Sequence, residues 1–335
     1  MNRKANIYDV AKLADVSHQT VSRVLNNHPS VKPATREKVE SAISELKYRP
    51  NQAARQLVTS QSRMIGILIG GSELYGPWAM LNAMEREARL AGYSVISISV
   101  LPDSTQSWRE AIEQLRNLDI DGVITIALAN KIVKEVEKSL ATATIVIVDT
   151  EPSKKFDAVN IENFIGGKLA TEHLIQLGHK AIVHLTGPTD GYEGEQRCKG
   201  YEAAMVEAKL KPDVIEGDWS IETGYRIGCE IAARKVRPTA IFTSNDHQAL
   251  GAIKALNEKK IRVPQDMSII GFDNIPESAY FSPALTTVHQ DFDELGKLAV
   301  ERMLIQLKEA TTHDSITITP KLVVRESTQQ LKVGK

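Results

Sequence analysis

At 335 residues the chain is longer than one ordinary hydrophobic core supports, so two or three domains are expected. Its 42% hydrophobic and 25% charged residues are the make-up of a globular protein, not a disordered or fibrous one. The net charge of −1 conceals an asymmetry, because residues 1–60 hold ten Lys/Arg against five Asp/Glu, a net of +5 against −6 for the remainder. A basic head on an acidic body directs any polyanionic partner to the head. No apolar run reaches the ~18 residues a membrane span needs, and MNRKANIYDVAKLADV lacks the apolar stretch of a secretory signal. A cytoplasmic protein without a membrane partner is therefore expected. Cys198 and Cys229 stand far apart outside any CxxC pair and are read as free thiols in a reducing compartment.

Three short helices are predicted within 6–48. The first opens at NIYD, where Asn6 can cap and Asp9, three residues on, takes the acidic place of a capping box. Its apolar face is Ile7, Val10, Ala11 and Ala14. DVS turns the chain and Ser17 caps the second helix, VSHQTVSRVL, whose apolar Val21, Val24 and Leu25 fall three and four apart. Pro33 opens the third helix in its first turn, where a missing N–H costs nothing, and Val39, Ile43 and Leu46 point inward. Helix, tight turn, helix and a supporting helix form the helix-turn-helix arrangement. Its second helix packs on one side and enters the DNA major groove on the other. His18, Gln19 and Arg23 would then meet base edges, which only polar side chains can read, while Ser17, Thr20 and Ser22 would meet phosphates or cap the helix. Pattern alone leaves open a three-helix module with a merely solvated face.

The residues themselves go further. IYDVAKLADVSHQTVSRVLNNHPSVKPATREKVESAISELKYRPNQAARQL closely resembles, almost without gaps, the DNA-binding segment of the lactose-repressor (LacI/GalR) family of bacterial transcription regulators. The resemblance implies that His18 and Gln19 occupy the operator-discriminating positions and Arg23 that of an arginine reading guanine. Tyr8, Ser17, Thr20, Ser22 and Asn26 match positions that contact or orient on the backbone. Residues 50–62 follow as a linker; NQAARQL has good helix formers but is too short to be stable alone in water. In the family this segment becomes a hinge helix on the operator, so Asn51, Ala54 and Leu57 are further DNA contacts by resemblance, Leu57 matching a leucine that wedges into the minor groove. Paired hinges imply a homodimer on a near-palindromic double-stranded operator.

From Met64 strands and helices alternate. MIGILIG, YSVISIS, DGVITI and TIVIV form one series of strands, and KAIVHL, TAIFTS and SIIGF a second, with helices such as AMLNAMEREARLAG, WREAIEQLRNL, NFIGGKLATEHLIQLG and QALGAIKALNEK between them. Two such series predict two doubly wound parallel-sheet lobes, with ligands beyond the carboxyl ends of the strands. Asp149, Asn245 and Asp273 fall at those ends, Arg197 in a following helix and Trp219 in the loop EGDWS. Carboxylates, an amide and a guanidinium suit vicinal hydroxyls, and an indole suits the apolar face of a sugar ring.

Over Ile65–Thr328 the chain resembles the effector domain of the same family, itself similar to periplasmic sugar-binding proteins, through EHLIQLGHK, GPTDGYEGEQRCKGYEAAM, SNDHQALGA and GFDNIPESAYFSPALTTVHQDFDELG. The resemblance implies Asp149, Arg197, Asn245 and Asp273 as polar effector ligands. It makes Trp219 and Phe292 apolar walls, with Leu74 and Pro77 of ELYGPW closing from the first lobe. LYGP resembles members sensing galactosides and related β-glycosides and departs from purine-sensing members. Glu193 stands where the family's lactose-sensing member has a small hydroxyl residue. The expected organisation is thus an all-α helix-turn-helix head (1–49), a hinge helix and linker (50–62), and an α/β effector and dimerisation domain (63–330) of periplasmic-binding-protein type I form. Its N-lobe is expected at about 63–160 and 291–319, and its C-lobe at about 161–290 and 320–330. No leucine-heptad tail follows LVVREST, so a dimer is expected rather than a tetramer.

Rival readings are weaker. No GxGxxG follows a strand, GGKL lacks the Ser/Thr of a P-loop, and neither GxSxG nor HExxH occurs, so no enzyme and no cofactor are expected. His173 and His179 in EHLIQLGHK are read as a helix end with its cap, and no metal site is expected. A transported-solute binding protein would have neither the basic head nor a start without a signal peptide. The family default is a repressor of sugar-utilisation genes released by a small sugar; a regulator that needs a nucleobase or phosphosugar co-repressor is the alternative.

Overall fold

The computed structural model describes residues 5–25, 28–48, 62–71, 73–101, 104–126, 136, 138–139, 143–152, 155–188, 191–309 and 312–331. It divides into two compact units, Met1–Ser62 and Arg63–Lys335.

The first unit holds α1 (Ile7–Leu13), α2 (His18–Leu25) and α3 (Pro33–Glu45). Both halves of the capping box form at α1. The Asn6 side chain accepts from the Tyr8 and Asp9 amides at 2.9 and 3.1 Å, and Asp9 accepts from the Asn6 amide at 2.8 Å. Ser17 caps α2 by accepting from the Thr20 amide at 3.1 Å. The small core is Val10, Ala11, Ala14, Val21, Val24, Val39 and Ala42, with Ile7, Leu25, Ile43 and Leu46 only partly buried around it. Val39, as expected, and Ala42 are the buried residues of α3, while Ile43 and the capping Leu46 are only partly buried. The Arg36 guanidinium donates to the Val24 and His28 carbonyls, both at 3.3 Å, which ties α3 to the end of α2.

In the second unit one sheet is wholly parallel. It comprises β1 (Met64–Gly70), β2 (Ser94–Val100), β3 (Gly122–Ile126), β4 (Thr144–Val148), β5 (Asp157–Ile161) and β11 (Ser315–Ile318), in the order β11-β5-β4-β3-β1-β2. The other comprises β6 (Ile182–Leu185), β7 (Asp213–Ile215), β8 (Ala240–Thr243), β9 (Ser268–Asp273), β10 (Thr286–His289) and β12 (Lys321–Val323), in the order β12-β10-β9-β8-β6-β7. Only its β10–β12 pair is antiparallel. The predicted two-sheet α/β architecture and helical head are what the chain adopts.

Helices cover both faces of each sheet. On the first, α4 (Tyr75–Leu90) packs on one face and α5 (Thr105–Asn117) on the other. On the second, α6 (Asn163–Gln176) and α7 (Tyr192–Glu207) lie on one face, α8 (Ile221–Ala233) and α9 (Asp246–Glu258) on the other. The chain leaves the first sheet after β5 and returns after β10, where α10 (Phe292–Lys308) joins the core of the first sheet. It crosses again between β11 and β12. Helices α6 and α7 touch at backbone distance: a Cβ on Gly167 would collide with the Arg197 carbonyl, and one on Gly200 with that of Phe164. Glycine is required there by close approach, and the contact fixes where α7 presents Arg197. His173 and His179 hold the C-terminal segment, His173 Nε2 lying 3.0 Å from Thr328 Oγ1 and His179 Nε2 3.1 Å from the Gln329 carbonyl oxygen. Among the described residues no helix is long and apolar enough to cross a membrane.

Candidate nucleic-acid and effector sites

On the first unit, burial of Val21 and Val24 turns the opposite side of α2 outward. His18, Gln19 and Arg23 are exposed there, Ser17 is exposed at its start, and Thr20 and Ser22 are half-buried at its flanks. Tyr8, 63% exposed although aromatic, lies with its ring 5.2 Å from that of His18. A polar helix face with two basic-capable side chains and hydroxyls bordering it has no role inside this unit and fits a groove that offers donors and acceptors. Asn26, Asn51, Ala54 and Leu57 lie outside the described residues.

The second unit contains a cavity of about 590 Å³. Its position follows from topology. Each sheet reverses its winding order beside its first strand, between β1 and β3 and between β6 and β8, and the loops beyond such switch points diverge to leave a crevice. Leu74 follows β1 and Pro77 lies in the first turn of α4, Asp149 follows β4, Arg197 lies in α7 after β6, and Trp219 precedes α8. Asn245 follows β8, Asp273 ends β9, and Phe292 begins α10. All eight line this one cavity. Asp149 and Asp273 are presented from backbone at φ 51° and 100°. Non-glycine residues hold such φ values only at a cost of ~1–3 kcal/mol, which commonly marks a functional position.

A hydrogen-bonded chain joins the polar members. Asn163 donates to Asp149 at 3.1 Å and accepts from Arg197 Nε at 2.8 Å. Arg197 donates through Nη1 to the Ser244 carbonyl at 2.6 Å and lies 3.5 Å from Asp273. Gln290 donates to Asp273 at 2.6 Å. The guanidinium also sits 3.9 Å above the Phe272 ring and 5.3 Å from that of Trp219, a cation–π setting. Asn245 is held by its own helix, accepting from the Gln248 amide at 2.8 Å and donating to the Trp219 carbonyl at 3.0 Å. Trp219 packs against Gly187, where any side chain would strike the indole.

Burial raises the Asp149 carboxyl against the opposing pull of Arg197 and Asn163. Burial pushes Asp273 up to about 6 against Arg197 and Gln290. Glu193 is raised by burial and then by the Asp149 charge. The site therefore holds more carboxylate than its guanidinium offsets, an environment hostile to phosphate or any other anion. Tyr75, Gln290 and the bridging Asn163 were not singled out by sequence reasoning. Gln290 stands two residues before Phe292, and Asn163 begins α6 two residues after the end of β5.

The profile of the bacterial regulatory proteins of the lacI family matches residues 6–51, and that of a periplasmic binding protein-like domain matches residues 171–328. The HTH-type transcriptional repressor PurR of Haemophilus influenzae is 36% identical, over 98% of this chain and 99% of that protein. The ribose operon repressor of Escherichia coli is 35% identical, over 96% of this chain and 99% of that protein. The crystal structure of the Lac repressor dimer bound to operator and the anti-inducer ONPF superposes with a TM-score of 0.89 at 32% identity, covering 98% of this chain and 100% of that one. These relatives are repressors, not enzymes. The chain belongs to the lacI family of bacterial regulatory proteins and is a DNA-binding transcriptional repressor.

Proposed function

We propose that this repressor binds a near-palindromic operator as a homodimer and is released by a small sugar, a galactoside or related β-glycoside, held by Asp149, Arg197, Asn245 and Asp273 against Trp219, Phe292, Leu74 and Pro77. The observation that carries the sugar reading is the mixed lining of one cavity. Carboxylates, an amide and a guanidinium line it together with an indole, a phenyl ring and aliphatic side chains. Hydroxyls need the first set and the C–H face of a pyranose ring the second. About 590 Å³ leaves room for more than one sugar ring. The acid surplus argues against a phosphosugar. The names of the relatives do not converge on one effector, and the PurR-like similarity favours, as a second reading, a co-repressor that strengthens operator binding.

In the release mechanism, sugar favours a closed arrangement of the lobes, separates the paired hinges of residues 50–62 and weakens DNA binding. His18, Gln19 and Arg23 read bases, with Tyr8, Ser17, Thr20, Ser22 and Asn26 on the backbone and Asn51, Ala54 and Leu57 acting through the hinge. Calorimetry of the full chain against galactosides, β-glucosides, nucleobases and phosphosugars tests the effector class. Binding of a neutral glycoside that Trp219→Ala weakens supports the sugar reading, whereas binding of a nucleobase alone replaces it.

A further inference from the structure

β1 begins at Met64, and the residue before it does not extend the strand. Arg63 holds φ 53°, left-handed backbone that a residue with a side chain keeps only when its surroundings impose it. Those surroundings come from both neighbours of β1 in the sheet, β2 and β3. On the β2 side, the Arg63 carbonyl accepts from the Ser94 amide at 2.8 Å, and a Cβ on Gly92 would lie 3.5 Å from Arg63 Nη1. On the β3 side, the Asp121 amide donates to the Met64 carbonyl at 2.8 Å, and Asp121 Oδ2 accepts from the Arg63 amide at 2.9 Å.

The last of these bonds differs from the others in what it restrains. Rotation about the Arg63 φ bond moves the Arg63 amide and everything before it, while the Arg63 carbonyl, its side chain and Met64 stay with the strand. Of the three hydrogen bonds, only the one to the Asp121 carboxylate spans that rotation. It is charge-assisted, and it gives the turned amide the acceptor that a backbone donor requires. With the acceptor removed, the amide turns to water and Arg63 is free to relax to the ordinary negative φ region. The head and the linker join the second unit at this residue, so they swing with that amide.

We propose that Asp121 is a positioning residue for operator binding: by holding the Arg63 amide it fixes the direction in which residues 50–62 leave the second unit, and so lets head and linker meet one operator together. This rests on the reading above that residues 50–62 act at the operator. Asp121 works through Arg63 and not on the DNA, and the sign of its charge separates the two. A carboxylate repels phosphate, so its loss by itself strengthens binding to any duplex. Weaker operator binding without it therefore comes from lost direction.

The test is fluorescence anisotropy of the full chain at fixed salt, with urea midpoints to verify folding. Each variant is titrated onto an operator that wild type selects from a randomised pool and onto a random-sequence duplex of the same length. Asp121→Ala should bind the operator at least tenfold more weakly than wild type and the random duplex no more weakly. Asp121→Asn, which keeps an acceptor, should stay within threefold of wild type on both. Arg63→Pro lacks the amide donor and fixes φ at about −65°, so it should lower the operator-to-random ratio as Asp121→Ala does. It keeps the question answerable should Asp121→Ala fail to fold, and the double variant should lose less than a further threefold. Operator preference retained in folded Asp121→Ala or Arg63→Pro overturns the proposal, and so does a loss in Asp121→Asn equal to that of Asp121→Ala. Leu57→Ala run in parallel separates the two readings. Preference lost there but kept in Asp121→Ala overturns the anchor alone, whereas preference kept in both removes the linker reading with it.

Discussion

Asn163→Ala offers the sharpest perturbation of the effector site because one small side chain bridges its two opposite charges. Asn163 is 1% exposed. It donates to Asp149 at 3.1 Å and accepts from Arg197 at 2.8 Å. Hydrogen bonds to charged groups contribute ~1.5–3 kcal/mol each, and a buried charged group left unsatisfied loses its full share. Both bonds together set an upper range of ~3–6 kcal/mol. Water entering the cleft recovers part of this, so a loss of about 3 kcal/mol is expected. Asp149, no longer held by the amide, should also shift further toward its protonated form, since that bond now opposes burial. Urea unfolding followed by far-ultraviolet circular dichroism measures the stability loss, and titration of the folded variant with the effector reads the consequence for the site, expected as a tenfold or greater weakening. A midpoint change equivalent to less than ~0.5 kcal/mol, together with unchanged effector affinity, would refute the view that this bridge organises the site.

Three further outcomes are expected. His184 is fully buried, stacked on Phe242 with ring centroids 4.3 Å apart, and burial lowers it to about 3. A His held neutral in the folded state gives stability that is present above its unfolded pKa of ~6.5 and is lost as pH falls from there toward the folded value. His184→Gln should therefore lose about 2 kcal/mol less than wild type between pH 7 and pH 5; parallel pH–stability curves from denaturant titrations would contradict this. Arg23→Ala should cost ~1–3 kcal/mol of discrimination between operator and a base-substituted operator, read by competition binding, whereas a uniform loss on all DNA would mark a phosphate contact instead. Gly167→Ala should lower the thermal midpoint and weaken effector binding together, because the new methyl group meets the Arg197 carbonyl; a fully stable variant with normal effector affinity would show that α6 and α7 separate freely.

The head was legible because its signals are local. Asn6, Asp9, Ser17 and Pro33 act within one helical turn, and the structure shows each in the expected place. Strands rich in β-branched residues, such as β1, β3, β4 and β9, were equally plain. Five strands were not read: β5 (DAVNI), β7 (DVI), β10 (TTVH), β11 (SITI) and β12 (KLV). They are short, and several bury polar side chains whose partners are distant in sequence. Asp157, for example, accepts from Arg302 at 2.8 Å, and Thr287 donates to Asp246 at 2.6 Å. The cavity residues at strand ends could be picked out because a doubly wound sheet puts ligands there. Asn163 and Gln290 could not, since their importance arises only where the chain passes between the two sheets and meets Asp149, Arg197 and Asp273. Glu193 stands out in the sequence as a departure from a relative, and the fold places it in the same cavity lining as Asp149.

The most direct test of sugar-released repression is fluorescence anisotropy of the full chain on the palindrome nearest its own promoter, at fixed salt, with and without a panel of galactosides and β-glucosides. Salt must be held constant because phosphate contacts make affinity strongly salt-dependent. The account predicts that one of these sugars raises the operator dissociation constant at least tenfold, ~1.4 kcal/mol of coupling, and that operator weakens binding of that sugar by the same factor. Tight operator binding that no sugar weakens, or that one of them strengthens, would contradict it.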